Sequence, residues 1–191
     1  YVEKPNNIFV SVASYRDDEC QETLKSIFEN ANHPEKIWVG VCQQNKENIE
    51  KCENGLNPKY KPHLRQIDMD YKQAKGPTYA RYWCSTLWVG EEFFLQIDSH
   101  THFIKGWDDY LIGMYRQCEL ESPKPVLSVY PPTEKQMKLK GHPEMCNGKL
   151  SSSGIPIFLA GWCGESTKPL KSPKPFAAGG FMFLKGNFLK E

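Results

Sequence analysis

The strongest constraint in this chain is a series of short, nearly continuous apolar runs separated by stretches of helical periodicity. Ile8-Phe9-Val10-Ser11-Val12-Ala13-Ser14 is largely apolar and ends abruptly in Tyr15-Arg16-Asp17-Asp18. A strand solvated on one face alternates apolar and polar residues, whereas a run without alternation needs cover on both faces, as in a parallel sheet. Helical spacing follows at once. Leu24, Ile27 and Phe28 share one face of Glu22 to Ala31, and Asn32-His33-Pro34 breaks the pattern before a second strand at Lys36 to Val41. After a polar loop from Asn45 to Lys61, Leu64 to Met69 is a third strand, and Pro77 to Trp88 is a helix opened by proline and punctuated by Gly90. Phe93 to Asp98 is the next strand, Trp107 to Cys118 an amphipathic helix, Pro125 to Tyr130 a strand closed by Pro131-Pro132, and Phe176 to Leu184 a final strand. The alternation predicts an α/β fold with a mostly parallel sheet flanked by helices. Residues 131 to 175, rich in Pro, Lys, Gly and Ser, are long enough for a functional excursion rather than a connector.

With 191 residues the simplest organisation is one domain. A formal charge of +1 excludes a general electrostatic footprint on nucleic acid, so any anion site must be local. The seven cysteines are odd in number, scattered and never in a CxxC arrangement, which predicts reduced thiols and a cytoplasmic protein rather than a disulfide framework or a zinc site. No apolar run approaches the roughly 18 residues of a membrane span, and no charged-then-apolar signal opens the chain. An anchor lying ahead of Tyr1 would instead place the protein in the secretory pathway or Golgi. The absence of a terminating signal after Asn187-Phe188-Leu189-Lys190-Glu191 predicts that the natural protein continues.

The residues richest in chemistry are Asp98-Ser99-His100-Thr101-His102, where a buried strand runs straight into one carboxylate and two imidazoles. In extended geometry positions 98, 100 and 102 share a face, and the donor set suits a borderline divalent ion such as Mn²⁺, with Mg²⁺ the alternative. Ligands in α/β folds gather at the carboxyl ends of parallel strands. The competing reading is that Asp98 caps the turn and the histidines are ordinary surface or core groups.

Four segments carry a resemblance: the run from Ile8 to Cys20, Gly76-Pro77-Thr78-Tyr79-Ala80-Arg81, Gln96-Ile97-Asp98-Ser99-His100, and Ala177-Ala178-Gly179-Gly180-Phe181. Together they are similar to the polypeptide α-N-acetylglucosaminyltransferases, and Asp98-Ser99-His100 resembles the D-x-H form of the D-x-D motif of GT-A glycosyltransferases. The resemblance implies a Rossmann-like GT-A domain over residues 1–191, with a nucleotide-binding part at 1–130 and an acceptor-side loop and strand at 131–191. It further implies UDP-GlcNAc as donor and a retaining transfer to a protein hydroxyl, either Ser/Thr or a hydroxyproline on the adaptor subunit of a cullin-type ubiquitin ligase.

By the same resemblance Asp98 and His100 hold the ion, and Ser14, Tyr15, Arg16 and Asp17 meet the uridine. Asp17 accepts from the uracil N–H or a ribose hydroxyl, and Tyr15 offers a face to the base. Ser99 joins the donor site, Arg81 reaches the diphosphate and assists catalysis with Asp98, and Gly179 and Gly180 let backbone lie close to the sugar. A third metal ligand and acceptor-side residues are expected beyond Glu191.

Bland alternatives stand beside these roles. Asp17 is equally a helix cap near Glu19, Arg81 an exposed helix arginine and Gly179-Gly180 a strand bend, while Asp108 and Asp109 either place carboxylates near the acceptor or are first-turn residues favoured by the helix dipole, the second reading being the stronger. His142, Cys146 and Cys163 match no standard metal spacing. Phe158, Trp162 and Phe176 either shape an acceptor groove or pack the loop. The alternatives for the whole chain are a GT-A transferase using another UDP-sugar, a non-catalytic sugar- or peptide-binding module of the same fold, and a zinc-stabilised interaction domain.

Overall fold

A computed structural model describes residues 4–46, 51–133, 135–164 and 177–190 of the chain. Its central sheet has six strands in the order β3-β2-β1-β4-β8-β5. β1 (Lys4–Tyr15) lies at the centre, with β2 (Ile37–Asn45) on one side and β4 (Glu91–Asp98) on the other. These three and β3 (Leu64–Asp70) run parallel, while β8 (Phe181–Lys185) runs antiparallel to β4 and to the two-residue β5 (Leu127–Ser128). The α/β expectation therefore holds, with one antiparallel strand, β8, set between β4 and the short edge strand β5 of an otherwise parallel sheet.

The continuous apolar runs are buried on both faces, as their lack of alternation requires. Ile8, Phe9, Val10, Val12, Phe93, Leu95 and Ile97 are fully enclosed. α1 (Cys20–Glu29) and α3 (Trp107–Glu119) feed Leu24, Ile27, Phe28, Trp107, Leu111 and Tyr115 into the main core. α2 (Pro77–Ser85) covers a smaller cluster, in which Ala80 and Cys84 meet Cys42 with Ala13 and Ile67 against them. Ala13, Cys42 and Ile67 are register partners across β1, β2 and β3, so they present one face to that helix. Each fully buried large side chain stabilises by about 1.5–3 kcal/mol. Gly40, in the middle of β2, is set by this packing: a Cβ there would run into the Phe9 ring.

Charged groups also sit inside the shell, Glu91 most completely. Glu91, at the start of β4, is completely enclosed and accepts from Arg65 Nη2 at 2.8 Å, while Arg65 Nη1 donates to the Leu87 carbonyl at 2.8 Å. Burial works to raise the Glu91 pKa, but the Arg65 hydrogen bond, backbone N–H donors including Val89, and the guanidinium charge outweigh it and hold the carboxyl below its ordinary value.

Two expectations change. The apolar stretch inside 131–175 is a β-hairpin of β6 (His142–Leu150) and β7 (Pro156–Cys163), which pair antiparallel with each other and, among the described residues, with no strand of the main sheet. More consequentially, Cys20 and Cys52 form a disulfide with Cα atoms 5.1 Å apart. The prediction that all seven cysteines are reduced is corrected by this bond, and the thiol argument for a cytoplasmic location loses its footing. Cys20 opens α1 and Cys52 lies in the loop after β2; a separation of 32 residues conceals their proximity in the sequence. Cys42 and Cys84 are buried thiols. Among the described residues, no helix is long and apolar enough to cross a membrane.

Candidate active site

Strand register brings the site together. Ala13 of β1 is the partner of Asp98 of β4, so the loop after β1 stands beside the loop after β4. Because β8 runs the opposite way, Phe181 pairs with Ile97 and the preceding Gly179-Gly180 lands against Asp98. α2 lies over β1 and β2 and extends Arg81 to the same edge. Gly76 precedes that helix at φ 91°, a conformation that glycine adopts freely, and Pro77 occupies the first turn.

At this edge Arg81 Nη2 donates to Asp98 Oδ1 at 2.8 Å. A Cβ on Gly180 would collide with Asp98 Oδ2, and one on Gly179 would come within 2.9 Å of Arg81 Nη1. Both glycines thus leave room for the ion pair. Gln96, two residues before Asp98 on the same strand face, donates from Nε2 to the Gly179 carbonyl at 2.7 Å and ties the glycine turn down.

A second cluster adjoins the first. Asp17 Oδ2 accepts from the Ser99 hydroxyl and from His100 Nδ1, the latter at 2.9 Å, while Asp17 Oδ1 accepts from the Glu19 backbone N–H at 3.0 Å. Burial acts to raise the Asp17 pKa, but the hydrogen bonds from Ser99, His100 and Glu19, with the His100 charge, outweigh it and lower the value. His100 is raised, first by its hydrogen bond to Asp17, against a smaller opposing effect of burial, and then by the charges of Asp17, Asp98 and Glu19. The loop bearing His100 is anchored to α1: Thr23 Oγ1 donates to the Ser99 carbonyl at 2.7 Å and accepts from the Thr101 N–H at 3.0 Å.

Seven predicted residues therefore converge: Asp17, Arg81, Asp98, Ser99, His100, Gly179 and Gly180. Tyr15 and Arg16 stand at the margin, Tyr15 half exposed and Arg16 with its guanidinium 5.2 Å from the Tyr71 ring centroid. Arg16 holds φ 50°, a left-handed backbone that a non-glycine residue adopts at a cost. Ser14 is enclosed, and its hydroxyl has no hydrogen-bond partner among the described residues. Asp108 and Asp109 belong elsewhere. Asp108 accepts from the Asn32 and His33 N–H groups at 2.9 and 2.8 Å, a fastening of α3 to the turn after α1. Cys163 Sγ lies 2.7 Å from Glu144 Oε2 on the hairpin, and Phe158 and Trp162 are exposed there. Phe176 and the side chains of His142 and Cys146 lie outside the described residues. Sequence reasoning missed Gln96 and Thr23; the period-two spacing of Gln96 from Asp98 and the buried hydroxyl next to Leu24 were the available signals.

Among the described residues no three His, Cys, Asp or Glu side chains gather as a metal cluster. The groups present nevertheless fit an ion completed by ligand oxygens. Asp98 Oδ2 borders the space left by Gly180, and the His100 side chain is 60% exposed with Nδ1 engaged, leaving the Nε2 lone pair for an ion.

The comparisons with known proteins decide the family. The family model described as Glycosyltransferase (GlcNAc) matches residues 7–61 and 53–191. The chain belongs to that family. No curated protein sequence matches it. Among solved structures it is similar to S. aureus TarS 1-349, at 14% identity and TM-score 0.52 over 96% of this chain and 48% of that one. It is also similar to the mannosyltransferase PcManGT from Pyrobaculum calidifontis, determined with GDP-Man and Mn²⁺, at 14% identity and TM-score 0.51 over 66% of this chain and 36% of that one. The chain thus spans half or less of the length of either. The fold is that of the GT-A glycosyltransferases, a mixed α/β architecture with a mostly parallel central sheet.

Proposed function

We propose that this glycosyltransferase chain carries the donor site of an N-acetylglucosaminyltransferase that uses UDP-GlcNAc and a divalent ion, Mn²⁺ or Mg²⁺, to modify a protein hydroxyl. The observation that carries the reading is the convergence of Arg81, Asp98, His100 and the Gly179-Gly180 turn at the carboxyl edge of the parallel strands. Asp98 and His100 hold the ion, whose chemistry when bound is to neutralise the charge developing on the departing UDP. Arg81 is held ready by Asp98 and transfers its hydrogen bonds to diphosphate oxygens, where a planar guanidinium matches the geometry. The two glycines admit the sugar against backbone. Tyr15 and Arg16 face the nucleoside.

The acceptor follows the resemblance: hydroxyproline of an adaptor subunit, with retention at the anomeric carbon. The Cys20–Cys52 bond favours a second acceptor reading, Ser or Thr of a protein in an oxidising compartment. One radiolabelled assay separates them. Incubation with UDP-GlcNAc, Mn²⁺ and both peptide types gives an alkali-resistant adduct if hydroxyproline is the acceptor, and a β-eliminable one if Ser or Thr is. Transfer from another UDP-sugar alone refutes the donor assignment, and hydrolysis without acceptor preference refutes the protein acceptor.

A further inference from the structure

We propose that Asp17 is a positioning residue that fixes the His100 imidazole as a metal ligand, rather than a reader of the nucleoside. The proposal rests on the donor-site reading above. Both Asp17 oxygens are already engaged by this chain's own donors, Oδ1 by the Glu19 N–H and Oδ2 by the Ser99 hydroxyl and the His100 ring, and only 16% of the side chain is exposed. Little capacity remains for a uracil N–H or a ribose hydroxyl.

The chemistry of the pair dictates a tautomer. An ionised carboxylate only accepts hydrogen bonds, so the neutral ring facing it carries its proton on Nδ1 and keeps the Nε2 lone pair. Ligating histidines are commonly held in this way by a carboxylate on the other ring nitrogen, which orients the ring and raises its basicity. The backbone bearing His100 is fixed independently, through Thr23 to Ser99 and Thr101, and through Thr101 Oγ1 donating to the Asp98 carbonyl at 2.8 Å. Ring rotation is the remaining freedom, and Asp17 removes it. Because Asp17 directly follows Tyr15 and Arg16, the loop that faces the nucleoside also holds the metal ligand, and binding of nucleotide and ion becomes coupled.

Two measurements on the wild-type chain and on Asp17→Asn test this, with thermal melting to confirm that both are folded. Long-range ¹H–¹⁵N spectra of the metal-free protein at mildly alkaline pH report the tautomer, and electron paramagnetic resonance titration reports Mn²⁺ affinity with and without UDP. The wild type is expected to show the Nδ1–H form. Asp17→Asn, whose amide both donates and accepts, is expected to show mixed tautomers, a Mn²⁺ affinity weaker by about 10- to 100-fold, and a smaller effect of UDP on that affinity. An Nε2–H ring in the wild type overturns the proposal whatever the metal does. Unchanged Mn²⁺ affinity in Asp17→Asn overturns it while sparing the donor site. A wild type that shows the Nδ1–H form yet binds no Mn²⁺ overturns the donor-site reading and the proposal with it.

Discussion

Replacing Gly180 with alanine isolates the space on which the metal reading depends. The added methyl would overlap Asp98 Oδ2 and approach Cγ to 3.1 Å. The backbone at Gly180 is not in the left-handed region, so the substitution introduces no φ strain and its effect falls on the carboxylate. Asp98 has only two side-chain torsions, and rotating it off its rotamer costs about 0.5–1.5 kcal/mol. Stability should therefore fall only slightly. Affinity for Mn²⁺ in the presence of UDP should fall much further, by about 10- to 100-fold, as is typical when a ligand's immediate support is disturbed. Gly179→Ala is the comparison: its methyl would meet the far end of the flexible Arg81 side chain at 2.9 Å rather than an ion ligand, so Mn²⁺ affinity measured without UDP should change less than in Gly180→Ala. Mn²⁺ titration by paramagnetic resonance on all three proteins, with thermal melting alongside, supplies the comparison. If Gly180→Ala binds Mn²⁺ as tightly as the wild type, the space beside Asp98 does not belong to an ion site and the reasoning fails.

Three further outcomes follow from the fold. The Glu91 pKa is lowered in the folded state, so its contribution is present above the ordinary value of 4.5 and is lost as pH falls through the folded value; urea midpoints should drop in that acid range, and less so in Glu91→Gln. Arg65→Ala leaves the buried Glu91 carboxylate to Lys4 Nζ at 3.6 Å and the Val89 N–H, and should cost about 1.5–3 kcal/mol by urea denaturation at neutral pH, whereas no measurable change would mean that the Arg65 hydrogen bond does not support Glu91. Reducing the Cys20–Cys52 bond releases a loop constraint over 32 residues and should cost about 3–4 kcal/mol, with two additional maleimide labels appearing in the denatured protein after reductant; identical labelling with and without reductant would contradict the bond.

The central strands and the first helix were legible because burial on both faces leaves an unmistakable apolar run, and Leu24, Ile27 and Phe28 keep helical spacing. The place of Asp98 and His100 at the end of β4 was legible for the same reason, as polar residues where such a run stops abruptly. Strand direction was not. Phe181 to Lys185 has the composition of its parallel neighbours, yet it runs antiparallel and carries Gly179-Gly180 to Asp98. The expected strand at 125–130 shrinks to Leu127–Ser128, at the sheet's edge and two residues beyond Pro125. The hairpin β6–β7 contained an apolar signal from Ile155 to Trp162, masked by the lysine- and proline-rich surroundings. Asp17 illustrates a deeper limit: a loop carboxylate has the same local sequence whether it caps a helix, binds a nucleoside or orients an imidazole. Only the Ala13–Asp98 register, a long-range pairing, settles what it touches. The Cys20–Cys52 bond is hidden likewise, because its proximity is created by the packing of the post-β2 loop on α1.

The donor-site assignment is tested most directly by calorimetric titration of UDP into the wild type and Asp98→Ala, each with and without Mn²⁺. The account predicts that Mn²⁺ tightens UDP binding to the wild type, that this enhancement disappears in Asp98→Ala, and that the variant melts close to the wild type. UDP binding that is indifferent to Mn²⁺ in the wild type, or an enhancement that survives in Asp98→Ala, would contradict it.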